Sequence, residues 1–556
     1  MSTLLSRVLR VAFAPLALWL APMVVSAQTG TGPGPAAGQG ATTLSTFETE
    51  DFSGAGVCAT CHSRLKDSVG NDVSNDAHWR STMMANAAKD PLWQAKISSE
   101  VARAPHVKEV IEDKCTRCHM GMARYQAITH GSAVEVLGPG FLDPAHSLHE
   151  AAMDGVSCCL CHQVQPTGLG TPSSFTGGYE IDTSTWPPDR TIFGPYQDPL
   201  RNAMRQAAGF DPALGAQIED PAHCGSCHTL YTPVLDAGGN PVPVDPYFPE
   251  QTTYLEWEHS GFPATCQDCH LPLAVGAVVI SNRPPRLAAR EPFWQHHFAG
   301  GNCFVLELLK ANAADLGVTA EAWQLDDTIS RTRSQLLNDT AALTVEADLG
   351  VDLRVMVDVV NRTGHKLPSG LPSRRAWLHL RVTDGDGALV FESGRPTGDG
   401  RIEGNAADSD PATFEPHHTE ITSPDQVQIY EPIMLTYEGD VTQTLLRAHS
   451  YAKDNRLLPA GFDKAAATGT DVGVYGSADA DDDFQGGADR VVYLVDVTGF
   501  AAPLTVTAEL LFQSLSYPFV MDLAATDTDL VNRFMGMYDP AANTPELLAR
   551  GQITVP

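Results

Sequence analysis

Five short segments concentrate the residues able to do chemistry: CATCH (58–62), CTRCH (115–119), CCLCH (158–162), CGSCH (224–228) and CQDCH (266–270). They use ten of the twelve cysteines. With this composition, roughly 0.01 chance matches to C-x-x-C-H would be expected in the whole chain, so five are a design. The spacing suits covalent attachment of haem c. Two sulfurs add across the two vinyl groups, one short turn spans them, and the adjacent histidine faces the iron. The expected anchors are Cys58, Cys61, Cys115, Cys118, Cys158, Cys161, Cys224, Cys227, Cys266 and Cys269. The expected proximal ligands are His62, His119, His162, His228 and His270. Zinc does not need a histidine directly after each second cysteine. A disulfide framework would not follow each close pair with histidine, and a redox dithiol would need a βαβ surround that the sequence lacks. Cys159 and Cys303 are left over, either as a disulfide or as buried thiols.

The distal side of each iron separates electron transfer from catalysis, because a second ligand closes the metal and an open position admits substrate. Of nineteen histidines, fourteen lie outside the motifs, enough to close every iron. The distal candidates are His146, His149, His223, His259, His296, His297 and His365, with Met83 as a rival in HWRSTMMANAAKDPLW (78–93). Met84 and Met204 are weaker rivals, since methionine often only fills a core.

Elements of two kinds must position these residues. Residues 51–300 hold all five motifs at irregular intervals, and 163–222 is rich in glycine and proline. This predicts a loop-rich, mainly helical haem domain braced by helices near 76–89, 92–103 and 303–315, with 301–341 as a helical connector. From 342 the period becomes two. Val351, Leu353, Val355, Val357 and Val359 alternate, as do Leu378, Leu380 and Val382, and Leu504 through Phe512. The DGDG turn (384–387) predicts a hairpin. The expected fold class is therefore α+β multidomain, the haem domain being followed by an all-β immunoglobulin-like sandwich over 342–556 with a helical segment at 527–550.

Arg7, Arg10, the apolar run 11–25 and Val25-Ser26-Ala27 read as a secretory signal peptide over 1–27. Residues 28–50 read as a disordered Gly/Pro/Thr-rich linker. No later run is long enough for a transmembrane anchor, so the mature protein is expected to be exported, periplasmic or extracellular. A net charge of −31 excludes nucleic-acid binding by phosphate neutralisation. Asp479, Asp481 and Asp483 alternate as in a calcium loop, but the sixth-position glycine and twelfth-position glutamate are missing. Calcium is the minor expectation there and an acidic turn the main one.

The segments HWRSTMMANAAKDPLW, DGVSCCLCHQV, CGSCHTLYTPVLD, FPEQTTYLEWEHSGF, HHFAGGN, NRTGHKLPSGLPSRRAWLHL and YAKDNRLLPAGF together resemble the large exported multihaem c-type cytochromes of bacteria, here pentahaem, in which a haem domain precedes a β-sandwich. Cys159 departs from that pattern. The resemblance implies haem-to-haem electron transfer between redox partner proteins, and it strengthens His365, His296 and His297 as distal ligands. In the stretch 361–377 itself, Arg374 and Arg375 stand near His365 and could pair with haem propionates. Two alternatives stay open: a multihaem oxidoreductase acting on a small nitrogen or sulfur compound at one open haem, and a docking or self-assembly role for the β-sandwich. No C-x-x-C-K variant occurs, which weakens the first.

Overall fold

A computed structural model describes residues 43–243 and 247–556. The expected signal peptide and most of the expected linker lie outside the described residues. Residues 43–50 do not behave as a linker: Leu44 is buried, Glu48 bridges Ser53, and Ser45 and Phe47 carbonyls accept from the Gly56 and Gly54 amides. A Cβ on Gly54 would lie 2.3 Å from the Ser45 carbonyl oxygen, so glycine is what lets this segment lie flat on the first motif helix.

Helices and sheets coexist as expected for α+β. The N-terminal part is built of short helices. Helix Asn75–Trp79 ends well before 89, because Asn86 turns its amide back onto the Arg80 and Thr82 carbonyls. A new helix, Pro91–Arg103, starts with Asp90 accepting from the Leu92 and Trp93 amides. The loop-rich 163–222 stretch nevertheless contains two parallel strands, Arg190–Gly194 and Phe210–Leu214, joined through helix Arg201–Ala208. Among the described residues no helix is long and apolar enough to cross a membrane.

Seven principal strands follow: β1 (Ala341–Leu349), β2 (Leu353–Asn361), β3 (Arg375–Thr383), β4 (Leu389–Ser393), β5 (Ala488–Val495), β6 (Leu504–Gln513) and β7 (Glu546–Val555). One sheet runs β1-β2-β5; the other runs β3-β6-β7, with β4 paired to the end of β3. Their alternating faces meet in one cluster that holds Val355, Val357, Leu380, Tyr493, Val506 and Leu510, all fully buried. Val351 belongs to the turn before β2, not to the strand, and is 93% exposed. The expected helical segment 527–550 is helical only over Asp529–Met537, and Glu546–Val555 is instead the edge strand β7.

The stretch 301–341 is no mere connector. Helix Cys303–Ala311 and helix Ala322–Asp339 share a hydrophobic cluster with Leu92 and Ala95 on one side and with Phe519, Leu523 and Phe534 on the other. Arg103 fastens the same junction, donating to both Asp522 carboxylate oxygens at 3.1 and 3.0 Å. The two halves are thus welded through a common core.

Candidate functional site

All five C-x-x-C-H segments border one cavity of about 2410 Å³. Each sits on or at the end of a helix: Ala55–His62, Lys108–His119, Cys158–Cys161, Pro221–Gly225 and Cys266–His270. Positions three apart share a helical face, so each cysteine pair presents both sulfurs the same way. Local capping fixes where the last two segments begin. Asp220 accepts from the Ala222 amide at 2.9 Å, and Thr265 and Asp268 form a reciprocal capping box. The second residue of CGSCH is constrained too: a Cβ on Gly225 would stand 2.6 Å from the Tyr254 ring.

The motif histidines are oriented for metal. Nδ1 of His62 donates to the Ile280 carbonyl at 2.8 Å, that of His119 to Ala87 at 3.0 Å, that of His162 to Phe193 at 2.7 Å, and that of His270 to Ala299 at 2.5 Å. A proton held on Nδ1 leaves the Nε2 lone pair free, which is the tautomer an iron ligand needs. Burial pushes His119 and His228 down to about 4 and lowers His62, His162 and His270, so these rings are neutral. Trp93 stacks on His119 at 4.6 Å and 10°, fixing its plane. The residues therefore fit haem c: paired sulfurs, neutral imidazoles aimed by backbone carbonyls, and an apolar enclosure. The carbonyl acceptors were invisible in the sequence, since a backbone acceptor has no side-chain signature.

The distal candidates divide. His223, His296, His297, His365, Met83, Met84 and Met204 all border the cavity. His296 faces His162 with ring centres 6.3 Å apart and planes 27° apart. His297 lies edge-on to His78 at 4.5 Å, and Arg331 Nη1 stands 3.4 Å from its Nε2. His365 turns Nδ1 to the Lys366 carbonyl at 2.8 Å. His146, His149 and His259 do not border the cavity. Nδ1 of His146 accepts from the Leu148 amide, His149 bonds the Phe141 carbonyl, and His259 spends Nε2 on the Asp463 carbonyl at 3.0 Å. These three brace loops.

His365 is held from below by buried charges. Lys366 meets Asp454 at 2.7 Å, Arg456 meets Asp454 and Glu256 at 2.8 Å each, and Glu256 accepts from the Lys366 amide. Burial raises the Asp454 carboxyl, but Arg456 and Lys366 outweigh that and hold it well below the usual range. Arg374 also borders the cavity. Burial pulls it down to about 10, and among the described residues no carboxylate pairs with it; its Nη1 donates to the Ser369 carbonyl at 2.5 Å. Arg375 is not a second such cation, being committed to Asp408 at 2.7 Å and to Gln513.

Cysteines of different motifs are neighbours, and each raises the thiol beside it: Cys158 and Cys159 raise Cys58, Cys227 raises Cys118, and Cys266 raises Cys224. Cys159 is packed in the core around Phe52 and Leu160, and Cys303 in the core of the sheets; both are free thiols, not a disulfide. Of the expected calcium loop, Asp479 and Asp483 are exposed and Asp481 is buried. Asp481 accepts from His417 Nε2 at 2.9 Å, beside the buried Asp489. Gln428 and Asn455 both donate to His417 Nδ1, at 2.8 and 3.1 Å, which places the ring proton on Nε2 and leaves no lone pair there for a cation.

No protein-family model matches the chain, and no curated protein matches it. Among solved structures, the chain is similar to a penta-heme cytochrome c552 from Thermochromatium tepidum, at 15% sequence identity and a TM-score of 0.49, over 90% of this chain and 98% of that one.

Proposed function

We propose that the protein is an exported multihaem c-type cytochrome that carries electrons through five covalently bound haems, in the periplasm or outside the cell. The observation that carries this reading is the convergence of all five cysteine pairs and their histidines on one cavity, with four of the five imidazoles aimed by backbone carbonyls. The haem iron supplies one-electron chemistry; the chain supplies spacing, axial ligands and charge. Neighbouring cysteines pair the motifs in space: first beside third, second beside fourth, fourth beside fifth. Electrons would therefore not follow chain order.

His296 would be the distal partner of His162, the two imidazoles holding one iron between them: their ring centres stand 6.3 Å apart with planes 27° from parallel. His365, His223 and Met83 remain candidates for the other irons, and Arg374 is the propionate partner. The strand order β1-β2-β5 against β4-β3-β6-β7 supports an immunoglobulin-like sandwich, which would brace the His365 loop and could dock partners. Redox partners are implied in general terms only.

The test is an optical spectrum of the loaded protein, oxidised and reduced, with and without carbon monoxide. Low-spin spectra unmoved by carbon monoxide support electron transfer. A fraction near one haem in five that binds the gas would instead support an oxidoreductase acting on a small nitrogen or sulfur compound.

A further inference from the structure

Two chain segments lie side by side next to the first and fifth motifs. The Asn282 amide donates to the Cys61 carbonyl at 2.8 Å, the Ser68 amide to the Val275 carbonyl at 3.0 Å, and the Asn282 side chain to the Ser63 carbonyl. The strip they form exposes large apolar side chains on one surface: Val69 at 66%, Leu273 at 57%, Val275 at 53% and Val279 at 41%. None of these four borders the cavity, so a cofactor within it would leave them uncovered. Beside them stand Arg64, Lys66, Arg283 and Arg286, all exposed. Among the described residues no carboxylate pairs with any of these four cations, whereas most other surface cations of this chain have one, as in Arg333 with Glu546 or Arg490 with Asp358.

In a chain of net charge −31, a local concentration of unpaired cations around apolar side chains is out of keeping with the rest of the surface. The rim is mainly basic, the exposed Asp72 opposite Lys66 being the exception; apolar surface rimmed mainly by one sign of charge is how a transient protein interface is built, the charge steering encounter and the apolar centre holding it. The backbone of the strip is also the backbone of two candidate haem sites. Its one edge continues from Cys61 and His62, whose Nδ1 donates to the Ile280 carbonyl within the strip. Its other edge leads directly from His270.

We propose that this strip is the docking site for an acidic electron-transfer protein, one whose cofactor edge is ringed by carboxylates, and that electrons enter or leave through the first and fifth motifs there. The proposal rests on the electron-transfer reading above. Arg283 and Arg286 border the cavity and could pair with propionates; Arg64 and Lys66 do not border it, so they isolate docking.

The experiment uses the haem-loaded full chain and, as probe, reduced flavodoxin, a small acidic flavoprotein. Stopped-flow reduction is followed against ionic strength for the wild type and for R64E/K66E, with basic cytochrome c as the control partner. The expected result is a wild-type rate constant that falls as salt rises, and a fall of about tenfold in R64E/K66E at low salt. The control should not slow in the variant. Unchanged flavodoxin kinetics in R64E/K66E would overturn the proposal. So would low-salt self-association of the wild type that the variant loses, which would assign the strip to a second copy of this chain. Haem content and dithionite reduction of the variant are measured first. A wild type without haem would defeat the electron-transfer reading itself, whereas a fully loaded variant with unchanged kinetics defeats only the docking site.

Discussion

Replacing His296 with alanine should open one iron and no other. The magnitude follows from geometry. The His162 and His296 rings stand 6.3 Å apart and 27° from parallel, and on the proposed reading they would hold one iron between them. His297, its chain neighbour, is set edge-on to His78, with Arg331 at its Nε2. H296A should therefore yield a carbon monoxide difference spectrum worth one-fifth of the total haem, while H297A should yield none. Both variants keep the cysteines and proximal histidines, so total haem by pyridine haemochrome should equal the wild type. Exogenous imidazole should restore the low-spin spectrum of H296A, filling the space the side chain leaves. The reasoning is refuted if H297A binds carbon monoxide and H296A does not, or if H296A remains wholly low-spin.

Four further outcomes are expected. D454N leaves Lys366 and Arg456 buried against one remaining carboxylate, Glu256, and should cost about 3–5 kcal/mol in urea unfolding. Asp489 is pushed up to about 7, chiefly by burial, so the folded state holds a proton that the unfolded state releases as pH rises from about 4 to 7. The wild type should lose stability over that window, by at most about 4 kcal/mol; in D489N, melting curves at pH 5 and pH 8 should lie closer together than in the wild type. G225A drives a methyl into the Tyr254 ring, costing about 1–3 kcal/mol, and should lower haem content at the fourth motif by mass spectrometry. R374L removes a buried cation that no carboxylate neutralises among the described residues, and a spectroelectrochemical titration should show one haem midpoint moving to lower potential.

What the sequence disclosed was local. Two cysteines and a histidine within one helical turn announce their chemistry without tertiary context, and the alternation of Leu353, Val355, Val357 and Val359 reports a buried face directly. What it concealed was set by distant partners. His259 and His296 look alike as residues beside motifs, yet one meets the Asp463 carbonyl across 204 positions and the other meets His162. Arg374 and Arg375 are neighbours in sequence but part company because β3 starts between them, sending Arg375 to Asp408 and leaving Arg374 at the cavity. The residues 546–555 carry too few alternating apolar positions to signal a strand, and become one because β6 offers an unpaired edge.

The closeness of cysteines from different motifs has a consequence for biogenesis. Cys58 neighbours Cys158, Cys118 neighbours Cys227 and Cys224 neighbours Cys266. A chain that completed its folding in an oxidising compartment with these thiols still unused would stitch one motif to another, and each stitch would consume a sulfur that an attachment site requires. The partners are also far apart in synthesis, a hundred residues or more for the first two pairs. If the motifs carry haem, loading would therefore have to run ahead of compaction, each motif being filled while the chain is still open and reduced.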